Sequence, residues 1–313
     1  MRLTKTTIFT LAAVTLLIAA NRPAMAGYIL TDLGDLPGGQ DQSRAYGIND
    51  SGQVVGYSTA ATGSRAFLWD STNGMQDLGD LAGGADYSTA YGINNSGQVA
   101  GISRTSVGPR AFLWDSANGM KDLGALTDGP MYSWAYGIND SGQVVGYSNS
   151  RLGTRAIVWD PVHGMQVLGD LPGGYAYSAG YGINDLGQVV GYSNAATGSR
   201  AFLWDSAHGM RNLGDLPGGQ EYSYAYGINN LGQVIGTGSA TAGSHAFLWD
   251  PVHGSMQDLG DLPGGPDASY AYGINDSSQV VGSSNSLAGG SAFLWDAANG
   301  MQDLNSLIVA GGA

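Results

Sequence analysis

A segment of about 45 residues is repeated six times, and this repeat constrains the fold more than any other property of the chain. The tetrapeptide Tyr-Gly-Ile-Asn recurs every 45 residues, and once after 46, beginning at Tyr46, Tyr91, Tyr136, Tyr181, Tyr226 and Tyr272. The motif Phe-Leu-Trp-Asp begins at Phe67, Phe112, Phe202, Phe247 and Phe293, and the third copy has Ile157-Val158-Trp159-Asp160. Such a period is typical of arrays in which each supersecondary unit covers the apolar face of its neighbour.

The repeat predicts a single domain over residues 27–313, built from six units that we number 1 to 6. The units span about 35–79, 80–124, 125–169, 170–214, 215–260 and 261–305. The last motif of a unit also occurs once before unit 1, at 28–34, and predicts an extra strand there. We expect either 28–32 or 301–304 to complete the last unit, and the other segment to pack elsewhere.

Each unit is predicted to contain four short strands. In unit 1 they cover 43–49, 53–58, 65–70 and 75–78, with turns at 50–52 and 71–74 and a looser loop at 59–64. Gly52 and Asn73-Gly74 supply the residues that tight turns favour. No segment has a sustained helical period, so the sequence predicts an all-β chain.

The strands are apolar on both faces, as Ala66-Phe67-Leu68-Trp69 shows. Strands of this kind must be covered on both sides. A ring of radially arranged sheets provides this cover, and about 40 to 50 residues per blade is usual. We therefore predict a six-bladed β-propeller of four-stranded antiparallel blades. The alternative is an open β-solenoid, which would need capping units that the sequence does not show.

Composition excludes several functional classes. The chain has 52 Gly, 12% charged residues and a net charge of -13, which is the wrong sign for binding a nucleic-acid backbone. It has no Cys, so disulfides, thiolate metal sites and Cys nucleophiles are excluded. No nucleic-acid partner is expected.

The N-terminus has the pattern of a secretory signal peptide. Arg2 and Lys5 precede an apolar or hydroxyl run over 6–20, and Ala24-Met25-Ala26 is a small-x-small cleavage signature. Residues 1–26 are expected to be removed by cleavage near Ala26-Gly27. The remaining chain has 9 basic and 25 acidic residues, or a net charge of -16, and no second long apolar segment. We expect a periplasmic or extracellular protein without an integral membrane segment.

Three motifs recur in fixed order: Tyr-Gly-Ile-Asn-Asp-x-Gly-Gln-Val-Val-Gly, then x-Ala-Phe-Leu-Trp-Asp, then Gly-Met-x-Asp-Leu-Gly. This pattern, over roughly residues 28–307, resembles the bacterial extracellular HAF-repeat family. The name tripeptide itself occurs once, as His245-Ala246-Phe247. The resemblance implies export and a repeat architecture, and it implies no particular biochemical activity.

No catalytic constellation stands out, because the prominent residues recur in the repeat register whereas an active site needs a unique arrangement. His163, His208 and His253 occupy a turn position that is Asn in other units, and His245 replaces a strand-start Arg. No His pair has zinc-ligand spacing. The sequence therefore predicts no catalytic residue and no cofactor.

The loop-rich face is the expected binding surface. If the strands meander, the second-to-third loops and the connections between units share one rim. Aromatic side chains suited to sugars or protein partners lie just before the first strands, and arginines start the third strands at the same rim. The binding candidates are Tyr87, Tyr132, Trp134, Tyr175, Tyr177, Tyr222, Tyr224, Tyr270, Arg65, Arg110, Arg155 and Arg200. Burial between blades is the alternative role for the aromatics.

The same rim carries acidic residues that calcium could use, because this cation takes carboxylate and carbonyl oxygens. The candidates are Asp35, Asp80, Asp170, Asp215 and Asp261. Loop solvation and hydrogen bonding within turns are the alternative roles, and the arginines of the rim offer another pairing.

We expect a secreted binding module that is not an enzyme and that engages a cell-surface, matrix or carbohydrate partner. A propeller enzyme acting on extracellular glycans is one alternative, and a purely architectural envelope protein is another. An acid or His placed in the first strand of one unit would favour the enzyme. No such residue stands out.

Overall fold

The computed structural model describes residues 27–309, so the predicted signal peptide lies outside the described residues. The described chain is all-β, as predicted: it has twenty-four strands and one short 3₁₀ turn at Leu304–Ser306. Between residues 27 and 309 there is no helix of the length and apolarity that a membrane crossing requires.

Each unit contributes four consecutive strands. They are β1 (Gly38–Ile48), β2 (Val54–Ala60), β3 (Gly63–Asp70), β4 (Gly74–Asp77), β5 (Ser88–Ile93), β6 (Val99–Thr105), β7 (Gly108–Asp115), β8 (Gly119–Asp122), β9 (Ser133–Ile138), β10 (Val144–Ser150), β11 (Gly153–Asp160), β12 (Gly164–Gly169), β13 (Gly173–Ile183), β14 (Val189–Ala195), β15 (Gly198–Asp205), β16 (Gly209–Asn212), β17 (Gly218–Ile228), β18 (Val234–Ala240), β19 (Ser244–Asp250), β20 (Ser255–Asp258), β21 (Gly264–Ile274), β22 (Val280–Ser286), β23 (Gly289–Asp296) and β24 (Gly300–Asp303).

The four strands of each unit pair in sequence order as an antiparallel meander. Units 1 to 4 form four separate four-stranded sheets, whereas units 5 and 6 are joined in one eight-stranded sheet. The join is a single parallel bridge between Ser244 and Ala268, where β19 begins beside β21. The number of separate sheets therefore differs from the six expected, although every unit keeps the predicted four strands.

The strand boundaries follow the prediction except at the second connection of the unit. The segment 59–64, expected to be a loose loop, is a tight hairpin in which Ala60 pairs with Gly63. The first strands of units 1, 4, 5 and 6 are longer than expected, with 11 residues each. The first strands also carry a bulge next to the motif tyrosine, between Ala45 and Gly47 in unit 1. The added residues of β1 are held by the pair of Gly38 with Ala60, and a second irregularity separates this pair from Ser43.

The core lies between consecutive units, as strands covered on both faces require. Between units 1 and 2, Val55 and Leu68 belong to the same buried cluster as Val99 and Phe112. Equivalent clusters join units 2 and 3, 3 and 4, 4 and 5, and 5 and 6. Within each unit, a second-strand glycine lets the first strand approach closely: a Cβ on Gly56 would lie 1.8 Å from the backbone oxygen of Arg44.

Two buried hydrogen-bond series connect each unit to the next. The backbone N–H of Ala66 donates to Oγ of Ser88 at 2.9 Å, and Nδ2 of Asn49 donates to the backbone oxygen of Asn94 at 3.0 Å. The serine series continues through Ala111, Ala156, Ala201 and Ala246. The asparagine series continues through Asn94, Asn139, Asn184 and Asn229. The serine of the first strand and the asparagine of Tyr-Gly-Ile-Asn therefore hold neighbouring units together.

Both series stop between unit 6 and unit 1, at a boundary that we call the seam. Within residues 27–309, Ala292 makes no such bond to Ser43, and Asn275 makes none to Asn49. Tyr272 is 51% exposed, although the other motif tyrosines are partly buried. The last and first units are therefore joined less tightly than any consecutive pair.

The two ends of the described chain meet beside the seam. Tyr28 forms an isolated parallel bridge with Ile308, in place of the strand predicted over 28–34. Farther along, the backbone N–H of Leu36 donates to Oγ of Ser58, and Leu33 packs against the small core cluster of unit 1. The C-terminal strand β24, and not the N-terminal segment, completes the four strands of unit 6.

Candidate functional site

The rim predicted to carry the binding residues exists as one surface, which we call the crossover face. It comprises the tight turns between second and third strands, such as 61–62, and the connections between units, such as 79–87. The two kinds of segment touch. Ser64 forms an isolated parallel β-bridge with Tyr87, and the backbone of Ser150 and Arg151 packs closely against Gly129. Residues from adjacent units can therefore act together on this face.

Three of the four predicted arginines are bound by acidic residues of the same face. Arg65 pairs with Asp80 at 2.6 Å and with Asp86 at 3.0 Å. Arg155 pairs with Asp170, and Arg200 pairs with Asp215 at 3.4 Å and with Glu221 at 3.0 Å. In these three units the ion pairs connect the start of the third strand to the following connection, so the three arginines have a structural role.

Arg110 differs from the other three. The residue is 5% exposed, and it has no acidic partner among the residues that the structure describes. Its Nε atom is buried without a hydrogen-bond partner. The sequence analysis grouped Arg110 with its register mates and missed this difference.

The five calcium candidates are not gathered into one cluster. Asp80, Asp170 and Asp215 are the partners of the arginines just described. The pKa of Asp35 is raised, first by burial and then by the neighbouring Asp41. Across residues 27–309, no three His, Cys, Asp or Glu side chains are grouped as a metal site would require.

Most of the predicted aromatic residues pack on one another. Trp134 stacks on Tyr147 with ring centroids 4.6 Å apart, and Tyr192 contacts Tyr224 at 4.7 Å and Tyr177 at 5.6 Å. Tyr222 contacts Tyr224, Tyr270 stacks on Tyr272, and Arg104 lies over the ring of Tyr87. These side chains are partly buried, so the alternative structural role expected for the aromatics describes most of them.

The motif tyrosines continue this aromatic layer from unit to unit. Tyr46, Tyr91, Tyr136 and Tyr181 follow one another with centroids 5.0 to 5.1 Å apart. Burial raises the pKa of Tyr91, Tyr136 and Tyr181, and it raises the pKa of Tyr147 to about 12. These hydroxyls therefore stay protonated at physiological pH.

Two of the predicted aromatics reach solvent. Tyr175 is 87% exposed and Tyr132 is 36% exposed, and both lie on the crossover face. Val107, Met131, Leu152 and Leu287 are exposed apolar side chains on the same face. Tyr132 also lines a cleft of about 510 Å³ together with Arg104, Thr105, Ser106 and Pro109. This cleft was not predicted.

The first strands of all six units surround a central space of about 210 Å³. It is lined by the Gly-Ile pairs of the repeated motif and by Tyr272, with neither an acid nor a His among the described residues that line it. The paired carboxylates that a glycan-cleaving propeller would place near the axis are therefore not part of this lining.

The histidines occupy turns, as the register predicted. Nδ1 of His163 lies 3.0 Å from Asp160, and Nδ1 of His208 lies 2.8 Å from Asp205, each within a four-residue turn. His245 contacts Asp258 at 2.8 Å in place of the Arg to Asp pair of other units.

Comparison with known proteins identifies the fold and nothing finer. No family model matches the chain, and no curated protein matches it. Among solved structures, TolB from Acinetobacter baumannii has a TM-score of 0.50 at 13% identity, covering 69% of this chain and 53% of that one. An acylaminoacyl peptidase in complex with Z-Gly-Gly-Phe-chloromethyl ketone has a TM-score of 0.54 at 10% identity, covering 84% and 45%. The chain thus spans about half the length of each of these two proteins.

A nidogen/laminin complex is also similar, with a TM-score of 0.48 at 13% identity, covering 80% of this chain and 92% of that one. Taken with the meandering four-stranded units, the likeness to TolB and to the acylaminoacyl peptidase gives the chain a β-propeller fold. At such low identity this likeness shows the fold alone.

Proposed function

We propose that the protein is a secreted binding module that is not an enzyme, and that its crossover face engages an extracellular partner. We further propose that the six units are the six blades of the propeller. The observation that carries the functional proposal is the exposure of Met131, Tyr132 and Tyr175 on the crossover face. No other unit has Met or Tyr at the positions of Met131 and Tyr175, and Tyr132 is more exposed than its register mates Tyr87, Tyr177 and Tyr222, so these side chains make one sector of the array distinct.

The distribution of repeated polar residues supports a binding role over catalysis. The recurrent Ser, Asn, Arg and Asp side chains are used in contacts between and within units, as Ser88, Asn94 and Arg65 illustrate. The free groups of the crossover face include exposed aromatic and aliphatic side chains such as Tyr175 and Leu152, beside exposed acids such as Asp128. Flat aromatic faces beside polar groups are suited to sugars and to protein surfaces.

The test is a comparison of binding before and after the exposed set is removed. The chain is applied to arrays of extracellular glycans and matrix proteins, and then compared with a variant carrying Met131→Ser, Tyr132→Ser and Tyr175→Ser. We expect the variant to lose a hit of the unaltered chain by about tenfold or more, since contacts of this kind dominate small binding surfaces.

The matched control removes apolar side chains from the opposite face. Val162 and Val252 are 82% and 85% exposed in turns between third and fourth strands. A Val162→Ser and Val252→Ser variant should bind like the unaltered chain. Equal losses in both variants, or release of cleaved glycan from the array, would overturn the proposal.

A further inference from the structure

The third-strand arginine normally meets carboxylates at two fixed distances along the sequence. The first acid follows it by 15 residues, as in Arg65 with Asp80 and Arg200 with Asp215. The second follows by 21 residues, as in Arg65 with Asp86 and Arg200 with Glu221. In these units the arginine is therefore a carboxylate-binding site, and acidic side chains of the same protein occupy it.

Unit 2 has the arginine, Arg110, but the connection that follows it lacks both carboxylates. The positions 15 and 21 residues after Arg110 are Ala125 and Met131. Arg110 is nevertheless as buried as Arg200, with 5% and 6% of the residue exposed. Arg200 has two acidic partners, whereas Nε of Arg110 has no hydrogen-bond partner at all among the described residues. Burying a guanidinium without a counter-charge is unfavourable, so this site is incomplete as it stands.

The β6–β7 hairpin carries two arginines in a protein that is otherwise acidic, with Arg110 on one face and Arg104 on the other, because Ser103 pairs with Arg110 and Arg104 pairs with Pro109. Arg104, on the neighbouring strand β6, lies over Tyr87 at 5.1 Å and is not within ion-pair distance of an acid in the described part of the chain. The cleft of about 510 Å³ contains Arg104 and includes Gly108 and Pro109, which directly precede Arg110. An anionic ligand is therefore favoured here over the rest of the surface.

The same cleft offers groups that suit a sugar ring. The ring of Tyr132 packs across Gly108 at the cleft wall, and Thr105 and Ser106 add hydroxyl groups. An aromatic face with a few nearby polar groups is a common way to bind carbohydrate.

We propose that Arg110 binds the carboxylate of an acidic sugar, such as a uronic acid residue of an extracellular polysaccharide. The ligand's carboxylate takes the place that Asp80 occupies beside Arg65 and that Asp215 occupies beside Arg200. There the planar guanidinium can donate two parallel hydrogen bonds to it. The sugar ring lies toward Tyr132. This inference rests on the proposed binding function and names the ligand class for one part of the crossover face.

The decisive variant returns the missing carboxylate to the chain. Ala125→Asp places an acid at the position of Asp80, Asp170 and Asp215, so the site becomes filled by the protein itself. Calorimetric titration with oligoglucuronate should detect binding to the unaltered chain, and Ala125→Asp should weaken it by at least about tenfold. The matched Ala125→Asn variant has nearly the same size without the charge and should keep affinity within about threefold.

Unfolding measurements show whether a loss of binding comes from misfolding. Ala125→Asp should melt at or above the temperature of the unaltered chain because it gives Arg110 a partner. Arg110→Gln provides a second test and should also lose oligoglucuronate binding while remaining folded. Acetate tests the carboxylate alone, and the neutral oligoglucose tests the sugar alone.

Equal affinity of the Asp and Asn variants, no binding of the unaltered chain, or equal binding of the neutral oligosaccharide would overturn the inference. Strong acetate binding with no gain from the sugar would assign the site to small carboxylic acids, and this too would contradict the acidic-sugar assignment. If the unaltered chain fails to bind oligoglucuronate but keeps other array hits of the crossover face, only this inference falls. Loss of every array hit would instead remove the proposed function.

Discussion

Nδ2 of Asn139 donates a hydrogen bond to the backbone oxygen of Asn184 at 3.1 Å, and in doing so joins unit 3 to unit 4. Asn139 is 3% exposed and also binds Gln143 through its side chain. In unit 6 the equivalent Asn275 keeps the bond to its own Gln279 and has no contact of this kind with unit 1 in the described chain. The motif asparagine therefore forms an additional hydrogen bond between units wherever another unit follows it in the chain.

This difference predicts unequal costs for the same substitution. Asn139→Ala should lower the free energy of unfolding by about 3 kcal/mol, because several buried groups lose their partners. Asn275→Ala should cost about 1 kcal/mol less, since no inter-unit bond is lost. Urea unfolding of both variants gives the comparison. A larger cost at Asn275 would show that the seam is as well bonded as the other boundaries.

The second-strand glycines are predicted to be intolerant of any side chain. A Cβ on Gly146 would lie 1.8 Å from the backbone oxygen of Trp134, a contact that side-chain rotation cannot relieve. Gly146→Ala should destabilise the chain by about 3 kcal/mol or more. Gly290→Ala is the control, because a Cβ there meets no atom within 4 Å and the backbone is not left-handed. Thermal melting should leave the control near the unaltered value, and comparable losses would contradict the packing argument.

Two aspartates should affect acid stability with opposite sign. The pKa of Asp115 is lowered by hydrogen bonds from the side chain and backbone of Asn118. Its stabilising effect is complete above the ordinary Asp pKa and is lost as the pH falls through the lowered one. The pKa of Asp35 is raised by burial and by Asp41, so its ionisation opposes folding as the pH rises above the ordinary Asp value.

Removing each charge in turn separates the two effects. At about pH 7, Asp115→Asn should lower the unfolding midpoint and Asp35→Asn should raise it, and both differences should shrink toward about pH 3. Urea midpoints measured over this range provide the check. Shifts of the same sign at neutral pH would mean that overall charge repulsion outweighs the local contacts.

Paired and unpaired arginines should differ in their contribution to stability. Arg65→Gln leaves Asp80 and Asp86 without their partner and should cost about 1 to 2 kcal/mol. Arg110→Gln removes a buried charge without an acidic partner in the described chain, so it should be neutral or stabilising in the absence of ligand. Parallel unfolding curves in low salt test this, and the expectation fails if Arg110→Gln is the more damaging of the two.

The seam should be visible in backbone hydrogen exchange. The N–H of Ala246 donates to Ser269 at 2.8 Å, whereas Ala292 is half-buried and has no corresponding serine bond within residues 27–309. We expect the Ala292 amide to exchange at least about tenfold faster than the Ala246 amide, because local opening there breaks fewer contacts. Hydrogen exchange measured by NMR gives the rates of both amides. Equal protection of Ala246 and Ala292 would show that unit 6 is bonded to its neighbour as firmly as unit 5 is.

Much of this architecture could be derived from the period and from turn chemistry. The position of β3, the apolar strands such as 66–69 and the turn histidines such as His163 followed from the repeat alone. The turn at 61–62 did not, since its flanking residues Thr59 and Ser64 look like loop residues and become strand residues only through pairing with each other.

The contacts between units were harder to foresee. The Asn of Tyr-Gly-Ile-Asn reads as a residue of a local turn, and it does accept turn N–H groups, but its Nδ2 reaches the next unit. A local sequence pattern contains no information on such a partner 45 residues away. The peculiarity of Arg110 could have been found, because aligning the units places Ala125 and Met131 where its carboxylates should be.

The contact between Tyr28 and Ile308 brings both ends of the described chain to one point of the ring, where Gly27 also abuts Val309. In a circular array of equivalent units, the place at which the polypeptide starts is then arbitrary. A circularly permuted chain, linked across these ends and reopened at the exposed turn 106–107, would keep every inter-unit contact described above. It would also move the covalent break from the seam to the sector that contains Arg110.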